Sequence, residues 1–87
     1  MYEKKVTLTN EIGLHARPAS IFIRTAVQFP CDITVEKDGR SYNAKSIMSV
    51  LSMSASNGEE LIIRAEGEGE EEAVNSLVEV IETKINK

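Results

Sequence analysis

Residues 32–44 decide the fold; they read Asp-Ile-Thr-Val-Glu-Lys-Asp-Gly-Arg-Ser-Tyr-Asn-Ala. Polar and apolar side chains alternate over residues 32–36, as in a strand with one buried face. Asp38-Gly39 is a two-residue turn signal, because glycine accepts a positive φ without strain. Residues 40–44 are therefore expected to return as the second strand of a hairpin in the middle of the chain.

A helical pattern flanks this hairpin on each side. Residues 16–28 place apolar side chains at i, i+3, i+4 and i+7, which predicts an amphipathic helix ended by Phe29-Pro30. Its predicted core stripe is Ala19, Phe22, Ile23 and Ala26. After the hairpin, Ser46 stands where the N-cap of a short second helix is expected, with Ile47, Val50 and Leu51 at helical spacing.

Two outer strands and a last helix complete the pattern. Val6 and Leu8 share one face of a strand predicted over residues 3–9, and a fourth strand is expected over residues 60–66 after an Asn57-Gly58 turn. The last helix is expected from residue 69 or 70, with glutamates near its start and lysines near its end, which suits the helix dipole. Its predicted core stripe is Val74, Leu77, Val78, Ile81 and Ile85.

The resulting order, β-α-β-β-α-β-α, predicts an α+β two-layer sandwich. Alternation in the strands implies that helices cover one sheet face while the other face meets solvent. A chain of 87 residues has room for one modest core, so residues 1–87 are expected to form a single domain.

Composition narrows the class of function. The hydrophobic content of 41% and charged content of 28% are typical of a globular protein, and the net charge of −4 argues against nonspecific nucleic-acid binding. The single cysteine, Cys31, excludes an intramolecular disulfide, and one cysteine with one histidine cannot supply a zinc site without several carboxylates. We expect Cys31 to be a half-buried packing residue. No apolar run approaches the roughly 18 residues of a membrane helix, and no signal peptide is evident. We therefore expect a cytoplasmic protein without metal or cofactor.

The functional motif is Gly13-Leu14-His15-Ala16-Arg17-Pro18, which contains the only histidine. A neutral imidazole has one unprotonated nitrogen that can attack phosphorus near neutral pH. If His15 caps the first helix, the backbone N–H groups of Ala16 and Arg17 point toward its ring, and the helix dipole favours an anion there. Arg17 would add a charge-assisted contact to phosphate. Pro18 is expected to serve mainly as a helix-initiating residue.

This hexapeptide resembles the active-site segment of the HPr family, the histidine-containing phosphocarriers of the bacterial phosphoenolpyruvate-dependent sugar phosphotransferase system. The segment Lys45-Ser46-Ile47-Met48, with Asn43-Ala44 before it, resembles the family's regulatory serine segment, and Ala65-Glu66-Gly67 resembles the exit of its last strand. The resemblance spans essentially the whole chain. It implies an open-faced β-sandwich in which three helices cover a four-stranded antiparallel sheet.

The resemblance also implies roles and partners. Nδ1 of His15 would accept phosphate from enzyme I and pass it to a sugar-specific enzyme IIA, without a cofactor. Ser46 would be phosphorylated by HPr kinase/phosphorylase, and the modified form would bind a catabolite-control repressor. A phosphate there adds about −1.5 to −2 charges, which repels acidic partners while it stabilises the helix start. We expect a monomer.

A partner surface is predicted beside the motifs. Arg24 lies about two helical turns beyond Arg17, on a similar face, and is expected to be either a partner contact or only a solubilising charge. Ile21 lies off the main stripe of the first helix and is a further candidate for this surface. Ile47, Met48 and Leu51 are further candidates, although we expect one or two of these three in the core.

The sequence departs from the usual family pattern at Ser49 and Ser54, where glycine is common. Ser54 would carry a conformational cost if its φ is positive. Ser49 lies within the predicted regulatory surface, so it bears on contacts made there.

Besides the sugar phosphocarrier, we consider three alternative functions for this sequence. A Ser46-dependent catabolite-repression regulator is one, although its known form lacks the histidine that this chain has. A carrier for a nitrogen-linked phosphotransferase branch is the second. The third is an acylphosphatase-like hydrolase, for which the chain offers no matching phosphate loop.

Overall fold

The computed structural model describes residues 1–9 and 16–86 of the chain. Its strands are β1 (Tyr2–Thr7), β2 (Asp32–Lys37), β3 (Arg40–Asn43) and β4 (Glu60–Glu66), and its helices are α1 (Ala16–Ala26), α2 (Ile47–Ser52) and α3 (Glu70–Val80). The last helix continues as a π-helical turn over Ile81–Ile85. The predicted order of elements is confirmed.

The four strands form one antiparallel sheet in the order β1-β4-β2-β3. β4 and β2 are the central strands, so the strand that follows α2 inserts between β1 and the hairpin. Ile63 of β4 lies opposite Lys4 on one side and Val35 on the other. This register places the buried side chains of the central strands in the same layer.

Alternation along β4 shows how the sheet divides core from solvent. Leu61, Ile63 and Ala65 are buried under the helices, in agreement with the predicted stripe. Arg64 faces the other way and binds carboxylates on both neighbouring strands, with Nε 2.7 Å from Glu3 Oε1 and Nη1 3.1 Å from Glu36 Oε1. The sandwich is therefore open-faced, with α1, α2 and α3 on one side and a charged sheet surface on the other.

The hairpin turn takes the predicted form. Asp38 and Gly39 have φ values of 52° and 79°, the positive pair that a type I′ turn requires. Element ends differ slightly from the pattern-based limits, since β1 stops at Thr7, α1 stops at Ala26 and β3 stops at Asn43. In each case the terminal residues of the predicted range lie in turns or extended loops, where apolar periodicity does not mark a boundary.

The structure corrects two burial predictions. None of Ile47, Met48 and Leu51 lies in the core, because α2 has only six residues and turns Val50 toward the sheet instead. Cys31 is buried rather than half-buried, with its Cβ 3.2 Å from where a Cβ on Gly67 would lie. The remaining stripes of α1 and α3 pack as predicted, with Ile23 and Val78 half-buried at their borders.

Within residues 1–9 and 16–86, no helix combines the length and the apolar character needed to cross a membrane.

Candidate functional site

Helix α1 begins directly after His15, at Ala16. Arg17 is exposed in its first turn, and Pro18, which lacks an N–H, is half-buried beside it. The first turn contains no acidic residue, so no carboxylate on α1 would repel an anion bound at this end of the helix. His15 lies outside the described residues, and so does its predicted contact with the N–H groups of Ala16 and Arg17, which stays a prediction.

At the second motif the structure confirms the predicted cap. Ser46 has extended backbone angles, φ −112° and ψ 119°, and its Oγ accepts a hydrogen bond from the Ser49 N–H at 3.3 Å. The Ser46 N–H donates to the carbonyl oxygen of Asn43 at 3.2 Å. Ser46 is therefore half-buried at the start of α2, and its hydrogen bonds link it to Asn43 before it and to Ser49 after it.

Asn43 organises this turn. Its side-chain Oδ1 accepts from the Lys45 N–H at 2.9 Å, and its own N–H donates to Ser49 Oγ at 2.9 Å. Together with the bond to Ser46, three contacts from one residue join the end of β3 to the first turn of α2. The sequence analysis did not predict this role. An asparagine side chain that accepts from the N–H two residues later, as Asn43 does from Lys45, forms an Asx turn.

Lys45 links the two helices that carry the motifs. Its Nζ donates to the carbonyl oxygen of Phe29 at 2.6 Å, in the turn that follows α1. Helices α1 and α2 also pack against each other on the same side of the sheet. The structure therefore places the two helices that carry the motifs next to each other, which sequence spacing alone does not show, but the Lys45 contact lies at the opposite end of α1 from Arg17.

An apolar surface adjoins Ser46. Ile47, Met48 and Leu51 are 40%, 74% and 36% exposed, and we call these three residues the α2 surface. Ile21 is half-buried and packs against the core, whereas Arg24 is exposed in the last turn of α1. Large apolar side chains left exposed to water are typical of a surface that binds other proteins.

Among the described residues, two carboxyl groups away from these motifs have lowered pKa values. Hydrogen bonding to Lys37 lowers the pKa of Glu59, and the N-terminal amine, 2.8 Å from Glu70, lowers the pKa of that carboxyl. These pairs belong to the α2–β4 connection and to the start of α3. Among the described residues no three histidine, cysteine or carboxylate side chains are grouped as metal ligands would be.

Comparison with known proteins identifies the class to which this fold and these motifs belong. Residues 2–83 match the family model described as the PTS HPr component phosphorylation site. The chain is 40% identical over 85 residues to the HPr-like protein Crh of Bacillus subtilis, covering 98% of this chain and 100% of that protein. It is 41% identical over 83 residues to phosphocarrier protein HPr of Borreliella burgdorferi, covering 95% and 96% of the two chains.

A solved structure agrees. The crystal structure of HPr-C-His from Thermoanaerobacter tengcongensis superposes with a TM-score of 0.93 at 47% identity, covering 98% of this chain and 96% of that one. The chain belongs to the HPr family, whose members are phosphocarriers of the phosphotransferase system rather than catalytic enzymes.

Two similar structures are described as dimers. One is an HPr dimer from Thermoanaerobacter tengcongensis, with TM-score 0.78, 46% identity and full coverage of both chains. The other is Bacillus subtilis Crh, described as a swapped dimer, with TM-score 0.77, 39% identity and full coverage of both chains. These relatives give no support to the expectation of a monomer.

Proposed function

We propose that this domain, residues 1–87, accepts a phosphoryl group on His15 from phosphorylated enzyme I and passes it to sugar-specific enzyme IIA in the cytoplasm. The observation that carries this proposal is the position of His15. It lies within the family-matched region, directly before the start of a helix whose first turn exposes Arg17 and contains no carboxylate.

The chemistry needs reversible binding rather than tight binding. The unprotonated ring nitrogen of His15 supplies the electron pair for the new bond to phosphorus, while the bond from phosphorus to enzyme I breaks. Arg17 neutralises part of the phosphoryl charge from an exposed position, where water screens the attraction. Phosphate is thereby oriented without being trapped, as a carrier requires.

Partner recognition is proposed for the α2 surface together with Ile21 and Arg24. The apolar side chains supply area that partners desolvate, and Met48 adapts to several shapes because its side chain is unbranched and flexible. Arg24 and Arg17 attract acidic partner surfaces to a protein of net negative charge.

Ser46 is proposed as the regulatory residue, modified by HPr kinase/phosphorylase and then recognised by a catabolite-control repressor. Its phosphate would lie at the α2 start, beside the α2 surface, so it would repel acidic partners without disturbing the core. The hydrogen bonds of Asn43 keep this turn in place independently of the Ser46 hydroxyl.

The test uses phosphoenolpyruvate and enzyme I, with acid-labile phosphate on the chain as the readout. We expect label on the wild-type protein and none on His15→Ala, with an unchanged circular dichroism spectrum. Gln28→Ala, at the exposed end beyond α1, is the matched control and should label normally. An unlabelled wild type would refute the carrier function, and a labelled His15→Ala variant would move the site elsewhere.

A second candidate function is favoured by the likeness to Crh, namely regulation through Ser46 without sugar transport. The Ser46→Asp variant and labelling of the wild type together distinguish the carrier function from the purely regulatory one. If the chain is a carrier regulated at Ser46, this variant keeps its fold and is phosphorylated by enzyme I more slowly than wild type. If enzyme I does not label the wild type while a serine kinase does, the purely regulatory function is correct.

A further inference from the structure

The two outer edges of the sheet differ in how their backbone groups are bonded. At the β3 edge, the Asn43 N–H donates to Ser49 Oγ and the Asn43 carbonyl oxygen accepts from the Ser46 N–H, so the start of α2 closes that edge. Within residues 1–9 and 16–86, β1 is the last strand on the other side of the sheet. Unpaired N–H and C=O groups on an edge strand are a template for pairing with another strand. The β1 edge is therefore a candidate for strand addition.

Alternate residues of an antiparallel strand direct both backbone groups to the same side. Leu8 is directed toward β4, because its N–H donates to the Glu59 carbonyl oxygen at 2.9 Å and its carbonyl oxygen accepts from the Gly58 N–H at 2.6 Å. The odd-numbered residues of this segment are therefore directed outward. In the part of the chain that the structure describes, the outward backbone groups of Glu3 and Lys5 have no hydrogen-bond partner.

Asn86 closes the other half of the β1 edge. Its Oδ1 accepts from the Thr9 N–H at 2.7 Å, and its Nδ2 donates to the Thr7 carbonyl oxygen at 3.0 Å. A carboxamide that binds two outward residues in this way takes the place of a neighbouring strand. Asn86 is itself anchored, since its N–H donates at 2.7 Å to the carbonyl oxygen of the buried Ile81. The edge is thus open in its first half and closed in its second.

A second copy of the chain presents the same edge, so two antiparallel β1 strands can pair about a two-fold axis. In such a pair the residue on the axis lies opposite itself, and outward residues pair only with outward residues. An axis at Glu3, Lys4 or Lys5 therefore places two like charges opposite each other, which is destabilising. An axis at Tyr2 leaves almost no strand to pair, because β1 begins there. Charge thus protects the open half of the edge.

An axis at Val6 brings no like charges together. Lys5 of one copy then lies opposite Thr7 of the other, and the Lys5 N–H meets the Thr7 carbonyl oxygen. Asn86 already holds that carbonyl oxygen, and it also holds the Thr9 N–H one pair further out. We propose that the β1 edge is a self-association surface for a second copy of this chain in the register centred on Val6, and that Asn86 keeps this surface closed.

The experiment measures the dimer dissociation constant of the full chain by sedimentation equilibrium. We expect Asn86→Ala to lower Kd at least about tenfold relative to wild type, because each copy regains a free donor and a free acceptor for the other strand. Asn75→Ala makes the same chemical change on the exposed side of α3, and Ile81→Val weakens the core beside Asn86. Both controls should keep the wild-type Kd. An unchanged Kd in Asn86→Ala, or an equal fall in Ile81→Val, would overturn the inference.

Opposite charges at residue 7 test the register. Thr7 is exposed and shares the open sheet face with Lys5. In the Asn86→Ala background, Thr7→Glu adds an attraction to Lys5 of the other copy and should lower Kd about threefold, whereas Thr7→Lys adds a repulsion and should raise it about threefold. Within one chain Thr7 lies opposite Glu60, which favours lysine over glutamate, the reverse order. Equal Kd values or the reverse order would refute pairing through the β1 edge.

Discussion

The two ends of helix α2 are held in opposite ways. At its start, the contacts come from residues 43–49, within a few positions of one another. At its end, Lys37 of β2 donates from Nζ to the Met53 carbonyl oxygen at 2.9 Å and the Ser54 carbonyl oxygen at 3.4 Å. The end of α2 that begins at Ser46 is thus supported locally, and the far end depends on the sheet.

The two ends also differ in conformational cost. Ser49 is helical, and its hydroxyl accepts a hydrogen bond from the Asn43 N–H. Ser54 has a φ of 53°, in the left-handed region where a Cβ is disfavoured. Serine is therefore favourable at the start of α2 and conformationally unfavourable just beyond its end.

The largest effect is expected from Ser49→Gly. Loss of the bond to Asn43 costs about 1 kcal/mol, and glycine inside a helix costs roughly 0.5–1 kcal/mol more, so the free energy of unfolding should fall by about 2 kcal/mol. Urea denaturation measures this change. Ser49→Ala, which loses only the hydroxyl, should show about half of it. Equal stability of Ser49→Gly and wild type would contradict a structural role for this serine.

The next largest fall in the free energy of unfolding is expected from Ser46→Ala. Removing the N-cap acceptor leaves the Ser49 N–H without its 3.3 Å partner and should cost about 1 kcal/mol. Ser46→Asp preserves an acceptor and adds favourable charge at the helix start, so it should unfold near the wild-type urea midpoint. If Ser46→Ala were as stable as wild type, the cap bond would contribute nothing and Ser46 would be retained for its hydroxyl chemistry alone.

Ser54→Gly should have a smaller effect of opposite sign. Relief of left-handed strain is worth roughly 1–2 kcal/mol, and the greater freedom of glycine in the unfolded chain offsets about 0.4–1 kcal/mol, so a net stabilisation of about 0.5 kcal/mol is expected. Thermal unfolding would register it as a raised Tm. Ser54→Ala keeps the strained Cβ and should match wild type; a rise of similar size in Ser54→Ala would assign the effect to the hydroxyl instead.

The contrast between the ends explains what the sequence could predict. The Ser46 cap, the Asp38-Gly39 turn and the buried faces of α1, β4 and α3 follow from local chemistry and period, and all were predicted correctly. The bonds from Lys37 to the end of α2 join residues 16 and 17 positions apart, and no local pattern marks them.

Burial on α2 was predicted wrongly for a related reason. Helical spacing of apolar residues predicts a buried face only where the helix is long enough to lie along the sheet. Six residues leave room for one inward side chain, Val50, and the α2 surface is exposed. At the candidate site, the residue types of the two motifs were predictable, but the contact of Lys45 with Phe29 depends on how α1 and α2 pack.

The smallest effect is expected at the far end of α2 and depends on pH. Lys37 lies 3.0 Å from Glu59, and hydrogen bonding to Lys37 and then to Ser56 lowers the pKa of Glu59 below its ordinary value of 4.5. A carboxyl whose pKa is lower in the folded state stabilises the fold above its unfolded pKa, and that stabilisation is lost as the pH falls through the folded pKa. Glu59→Gln should therefore be less stable than wild type near neutral pH, and the difference should disappear at an acidic pH below the lowered pKa of Glu59, where both carry a neutral side chain. Urea unfolding at the two pH values measures it, with Glu79→Gln on the exposed side of α3 as the control. A difference that persisted unchanged in acid would show that the hydrogen bond to Ser56, rather than the charge on Glu59, supports this end of the helix.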